Sequence, residues 1–306
     1  MTDEGAQRSV GRYPHLNADV AKVAARDNKA RLAYLKADRY IPHRAADVVM
    51  EKLDDILSWP NAVRPPCCMV VAEPDMGKST LFKEFQRLNP PADNVDGNAA
   101  IIPVIRIQFP ESGSDGVYAE VIRKLNSETT SNPSKGRLRA QALSLLEGIK
   151  NRMLIIDEVA NVVTADATRQ TVAMNAIKFI TNETERPIVF GVTSEAFAVV
   201  RKDKHIRSRF EPIFIPRFVD GQAYRELLFG FELVLPLRDP SNLSIDAAIA
   251  NDILSRSLGI TGKISKLLNA AAKEAIVSGE ERITSDILNR VVWMDEDTIK
   301  QKFGDL

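Results

Sequence analysis

Histidine and cysteine are scarce in this chain of 306 residues, at three and two copies. The cysteines are neighbours, Cys67 and Cys68, a spacing that suits neither an ordinary disulfide nor, with so few histidines, a tetrahedral metal site. They read as buried strand residues, and a reducing cytoplasm is the expected compartment. Net charge is missing too: 41 acidic residues balance 41 basic ones, which excludes a globally basic nucleic-acid binder and leaves such contacts to local patches. No apolar run approaches the roughly 20 residues a membrane span needs, so no membrane association is expected. The opening Met-Thr-Asp-Glu-Gly lacks the basic-then-apolar order of a signal peptide. Internal repeats are absent, and apart from one acidic strand end the carboxylates form no pattern for a two-metal nuclease or transposase site.

What is present is a 44% apolar chain, ample for a core and long enough for two domains, or one and a half. Residues 1 to about 45 are mildly basic, nine Lys or Arg against five Asp or Glu, with Ala, Val and Leu at helical intervals from Asn17 to Leu35. They read as an arm or short helix outside the core. Ala45 to Leu57 reads as an amphipathic helix stopped by the Trp59-Pro60-Asn61 turn. Five β-type runs follow: Cys67–Ala72, Ile101–Gln108, Arg152–Asp157, Pro187–Thr193 and Pro212–Ile215, with helical stretches between the first four. That alternation predicts a parallel α/β sheet. Past Pro216 the β signal stops, and Gly221–Leu235, Ser244–Ser257, Lys263–Ser278 and Thr284–Val292 read as helices of a separate small domain. Asn126–Gly136, rich in Ser, Thr, Asn and Pro, reads as a surface loop.

The first strand runs into Ala72-Glu73-Pro74-Asp75-Met76-Gly77-Lys78-Ser79-Thr80 and then a helical pattern, the setting a phosphate-binding loop requires. Gly77 lets the backbone approach phosphates, the amides at the helix start point at them, Lys78 neutralises β and γ oxygens, and Ser79 holds Mg²⁺. ATP and Mg²⁺ are the expected ligands. Ala72 stands where the motif has its first glycine; alanine narrows the entry torsions, so weaker nucleotide affinity is expected. The third strand ends in Asp157 and Glu158, placed to bind the Mg²⁺ shell and to polarise the attacking water. Taken alone it also reads as a buried strand closed by a solvated acidic turn; following the phosphate loop, it reads as the second half of a nucleotide site.

A complete strand between the two motifs, and a glutamate directly after the aspartate, resemble the AAA+ branch of P-loop proteins. That resemblance implies a three-layer α/β core with a parallel five-stranded sheet over residues 45–220 and a small all-helical lid over 221–295. Residues 1–44 would be an N-terminal extension and 296–306 a tail. It further implies ATP hydrolysis, slow and stimulated by assembly. At the end of the fourth strand AAA+ proteins carry a polar sensor, for which Thr193 is the first choice and Ser194 the second; an ordinary strand-end turn is the alternative. Arg209, in Ser208-Arg209-Phe210, matches the arginine finger offered to a neighbouring subunit's nucleotide, ahead of Arg207, the alternative being a solvated basic helix. Lys263 is placed either as the lid's cationic sensor or as surface cover for Leu267 and Leu268.

The runs Leu-Ile-Ile-Asp-Glu-Val-Ala-Asn, Asn175-Ala-Ile-Lys-Phe-Ile-Thr-Asn-Glu, Pro-Ile-Val-Phe-Gly-Val and Ser-Arg-Phe-Glu-Pro together resemble the TniB/TnsC family of transposition ATPases. Arg39-Tyr-Ile-Pro-His-Arg and Phe109-Pro110 add to the likeness, which spans roughly residues 35 to 290. It implies a homo-oligomer, ring or helical filament, that assembles with ATP on duplex DNA, marks a target and recruits a separate transposase. DNA contact would be to backbone phosphates and nearly sequence-blind. Arg123, Lys124 and the Lys135–Arg139 cluster are basic candidates for it, with a solvated face as the competing reading. An AAA+ scaffold or loader unrelated to transposition is the alternative function, and no added DNA-reading domain is legible after the helical segment to support it.

Overall fold

In the computed structural model the chain forms two compact units, one from Met1–Arg44 with Arg217–Leu306 and the other from Ala45–Pro216. The structure describes residues 12–292 other than 61, 63, 96, 98, 111–113, 129–132, 160–170, 172–174, 176–178 and 180. Part of the runs behind the family resemblance, at 160–161, 176–178 and 180, therefore lies outside the described residues.

The continuous unit is built on a parallel sheet of five strands: β1 Cys67–Ala72, β2 Val104–Gln108, β3 Met153–Asp157, β4 Ile188–Val192 and β5 Phe210–Ile215. Their spatial order is β2-β3-β4-β1-β5. β1, β3 and β4 are buried at every residue, as strands covered on both faces must be. Alternate side chains serve opposite layers. Met69, Ile105, Ile107, Leu154, Ile156 and Phe190 join Val121, Ile122 and Leu146 of helices Ser114–Lys124 and Lys135–Gly148 in one core. On the other side Gly191 faces Phe82, which with Leu81 and Phe85 forms the buried stripe of helix Lys78–Leu88. Burial pushes the Cys67 thiol up to about 11 and the Cys68 thiol to about 12, so both are inert hydrophobes at neutral pH.

Prolines account for two strand boundaries that differ from the sequence reading. β2 begins at Val104 rather than Ile101, because Pro103 has no N–H for the ladder and uses its carbonyl to accept from Arg152 and Met153 instead. β5 begins earlier, at Phe210, and accommodates Pro212 because it lies at the edge of the sheet. Helix Lys135–Gly148, whose N-cap Ser134 accepts from the Arg137 N–H, takes in the end of the segment read as a loop.

The second unit is helical: Gln222–Val234, Ala247–Ser257, Thr261–Ser278 and Ser285–Arg290, joined by Ala18–Ala24 and Asn28–Leu35 from the chain's beginning. The helical pattern from Asn17 to Leu35 is thus two helices, divided where the Asp27 carboxylate caps the second by accepting from the Ala30 N–H at 2.8 Å. The segment read as an arm packs into this unit. Tyr13, Leu16, Val20, Ala21 and Ala24 form a buried cluster against Tyr34 and Val234. Arg31, fully buried, donates to the Pro236 carbonyl through Nε (3.0 Å) and a terminal nitrogen (2.9 Å), and holds the Glu281 carboxylate in a fork. Glu232 in turn accepts from the backbone N–H groups of Ser241, Asn242 and Leu243 at 2.7, 2.7 and 3.0 Å, fixing the turn after Pro240. No helix among the described residues is long and apolar enough to cross a membrane.

Candidate functional site

The order β2-β3-β4-β1-β5 sets the C-terminal ends of β1, β3 and β4 side by side, the edge at which open α/β sheets bind ligands. β1 ends at Ala72, β3 at Asp157 and β4 at Val192, followed directly by Thr193. The two motifs and the sensor candidate are therefore brought together within one unit.

Ala72 belongs to the strand, pairs with Ile215 and does not have a positive φ, so no glycine torsion is demanded of it. The unusual torsions fall later, at Asp75 (φ 60°) and Gly77 (φ 85°). A Cβ at Gly77 would meet nothing within 4 Å, so its requirement is conformational rather than spatial. Met76 is buried and pins the loop between them. Gly77 also caps helix Lys78–Leu88 without any side-chain hydrogen bond, which leaves the amides of the first turn, at Lys78, Ser79 and Thr80, for an anion. The Lys78 ammonium donates to the carbonyls of Ala72 (2.7 Å) and Glu73 (2.9 Å). Burial lowers its pKa, opposed by the nearby carboxylates of Asp157, Glu195, Asp75 and Glu158. An anionic phosphate would reverse that penalty.

Asp157 is 1% exposed, and its Oδ1 accepts from the Glu158 N–H at 3.0 Å. Glu158 follows at φ 58°, a left-handed torsion costly for a glutamate, held because the neighbouring backbone is tied on both sides. The Asp157 carbonyl accepts from Phe109, and Val159 donates to Gly191. The turn sends the Glu158 side chain out to solvent, where Gln108 Nε2 donates to Oε2 at 3.3 Å. The residues thus fit a magnesium nucleotide: uncapped amides and an ammonium for phosphate, a hydroxyl and a buried carboxylate for the metal, and an exposed carboxylate beside them.

Thr193 caps helix Ser194–Val200, its Oγ1 accepting from the Ala196 N–H at 3.2 Å; the hydroxyl proton remains free to donate. Ser194 is exposed at the first turn. Arg209 lies just before β5's first core residue, Phe210, and donates to Asn182 Oδ1 at 2.7 Å, whereas Arg207 is exposed at the end of the short helix Lys204–Arg207. Lys263 stands in the first turn of helix Thr261–Ser278, in the helical unit. Of the basic candidates for DNA, Arg123 is paired with Glu120, and Arg139 is paired with Glu183 and stacked on Phe179.

Three neighbours of the site were not picked out from the sequence. Arg106 and Gln108 reach Asp157 and Glu158 from β2; a charge and an amide inside an otherwise apolar strand were the signal. Gly191 is the third. A Cβ there would lie 2.6 Å from Asp157 Oδ1 and 2.8 Å from Phe82 Cε2. Gly191→Ala should therefore displace the carboxylate or the ring, costing about 1–3 kcal/mol of stability and weakening Mg²⁺-dependent nucleotide binding. Thermal unfolding and a nucleotide titration check this, and parent-like values in both would show that Asp157 does not need that space.

A phosphate loop, an acidic β3 end and the strand order β2-β3-β4-β1-β5 followed by a helical unit define the P-loop ATPase fold of the AAA+ class. Similar solved structures include the Aeropyrum pernix ORC1 protein in complex with DNA (TM-score 0.57, 14% identity, 85% of this chain and 68% of that one covered). The Aeropyrum pernix ORC2 protein in ADPNP–ADP complexes gives 0.54 at 14% identity, covering 85% and 71%. Cdc6p from Pyrobaculum aerophilum gives 0.52 at 14% identity, covering 87% and 73%. The family described as bacterial TniB protein matches residues 31–220, and the chain belongs to that family. No curated protein matches it.

Proposed function

We propose that this TniB protein is an ATP-dependent regulator of DNA transposition. With ATP it assembles on duplex DNA as a ring or helical filament, marks the target, and recruits and activates a separate transposase. The reading is carried by the joining of the phosphate loop and the Asp157–Glu158 end of β3 on one sheet edge, inside the span that matches the family. Hydrolysis then limits the lifetime of the assembly.

In this reading the amides from Gly77 to Thr80 and the Lys78 ammonium bind the phosphates, Lys78 leaving the carbonyls of Ala72 and Glu73 to do so. Ser79 and Asp157 would hold Mg²⁺, which would supply positive charge against the polyphosphate. Glu158 takes the proton of the attacking water, positioned by its left-handed turn. Thr193 donates its hydroxyl proton toward the γ-phosphate, and Arg209 serves the neighbouring subunit's nucleotide. An arginine in that role is worth about 10³–10⁵ in rate where it has been measured, because it meets charge that builds up in the transition state.

The test is sedimentation and light scattering of the full chain with a nonhydrolysable ATP analogue, with and without random-sequence duplex DNA, at low and moderate salt. Large assemblies that need both nucleotide and DNA, and that weaken as salt rises, are expected. Nucleotide-driven assembly indifferent to DNA would replace this reading with an ATP-gated scaffold.

A further inference from the structure

Arg106 is the only charged residue of β2, flanked by Ile105 and Ile107, which point into the core. Its side chain shares a strand face with Gln108, whose register partner is Asp157. The guanidinium donates to Asp157 Oδ2 at 3.2 Å, with side-chain exposures of 19% for Arg106 and 2% for Asp157. Its Nε–H is buried and has no hydrogen-bond partner among the described residues. A guanidinium left partly unsatisfied in a strand interior costs stability relative to the valine or isoleucine that β2 otherwise favours. Its gain must lie in the charge it brings to Asp157.

That carboxylate is already doubly engaged, Oδ1 by the Glu158 N–H and Oδ2 by Arg106. A positive charge 3.2 Å from Oδ2 lowers the attraction of the same carboxylate for a second cation. With Lys78 it also makes the edge more attractive to a polyphosphate. The two effects have opposite signs with respect to metal: Arg106 favours the nucleotide anion and disfavours Mg²⁺.

We infer that Arg106 is a metal-gating residue, a built-in counter-cation at Asp157 that lets nucleotide bind ahead of Mg²⁺ and sets the Mg²⁺ concentration at which the metal complex forms. The inference rests on the MgATP reading of the site. It goes further by naming a residue that regulates metal entry and the order in which the two ligands arrive.

The experiment titrates Mg²⁺ into metal-stripped full-length protein carrying a fluorescent nonhydrolysable ATP analogue, with the analogue's affinity also measured in EDTA. Arg106→Gln should lower the half-saturating Mg²⁺ concentration by roughly three- to tenfold and weaken metal-free nucleotide binding by a similar factor. Arg106→Lys, which keeps the charge, should stay near the parent in both. Arg106→Met, neutral and of similar length, carries the same expectation as Arg106→Gln if the amide variant does not fold. A merely structural role would weaken binding at every Mg²⁺ concentration without moving the midpoint. A midpoint that is unchanged or raised in the neutral variants overturns the inference while leaving the site intact. Absence of Mg²⁺-dependent nucleotide binding in the parent overturns both the inference and the MgATP reading.

Discussion

Glu158→Gln should lower the rate of ATP hydrolysis by about 10²–10⁴-fold, the usual worth of a positioned general base, while nucleotide binding stays close to that of the parent. Glu158 is exposed, and its side chain accepts from Gln108 Nε2 at 3.3 Å. Glutamine keeps the size and can still accept from Gln108, so what is removed is the capacity to take a proton. The backbone around it should be undisturbed, because the φ of 58° is held by the bonds of Asp157 and Val159 rather than by the side chain. Single-turnover hydrolysis alongside equilibrium binding separates the two effects. In the assembly experiment the variant should give longer-lived nucleotide-bound particles, since on the proposed function turnover ends them. A variant that hydrolyses at the parent rate would remove Glu158 from the role and direct attention to Thr193 and Glu195 at the neighbouring strand end.

Arg31→Ala should cost the helical unit about 3–5 kcal/mol, the penalty for breaking a buried ion pair from one side. The side chain is fully buried and bonds Pro236, Asn28 and Glu281, so alanine would strand a carboxylate and a carbonyl as well as leave a cavity. Arg238, which approaches Glu281 Oε1 at 3.4 Å, offers only partial compensation. Arg31→Lys should fall between, because an ammonium keeps the charge and loses the two-pronged geometry. Denaturant unfolding followed by far-ultraviolet circular dichroism reads the change. A loss below about 1 kcal/mol would put this arginine among surface pairs and contradict its burial.

The sheet and its site were legible where chemistry and local pattern coincide. The run from Cys67 to Thr80 combines a fully apolar strand, a loop and a helix start, and the run from Met153 to Glu158 an apolar strand with an acidic end, so each reports its conformation together with the candidate chemistry it carries. Arg106 and Gly191 were not legible, because their importance comes from the side-by-side placement of β2, β3 and β4, strands far apart in sequence. The beginning of the chain was opaque for the same reason. Arg31 looks like one of nine basic residues in a polar stretch until Glu281, 250 positions away, is beside it. Asp27 interrupts the helical pattern with a cap rather than a proline or glycine, which hydrophobic spacing does not reveal.

That same pairing of distant segments bears on how the protein is made. The helical unit needs residues from before Ala45 and after Pro216, and its Arg31–Glu281 clasp joins residues 250 positions apart. On a ribosome, residues 12–44 emerge ahead of the sheet unit, whereas their partners Val234, Pro236 and Glu281 are added only after it. The sheet unit, continuous from Ala45 to Pro216, is therefore free to fold while the earlier helices wait, and the helical unit closes only after Glu281 has been added.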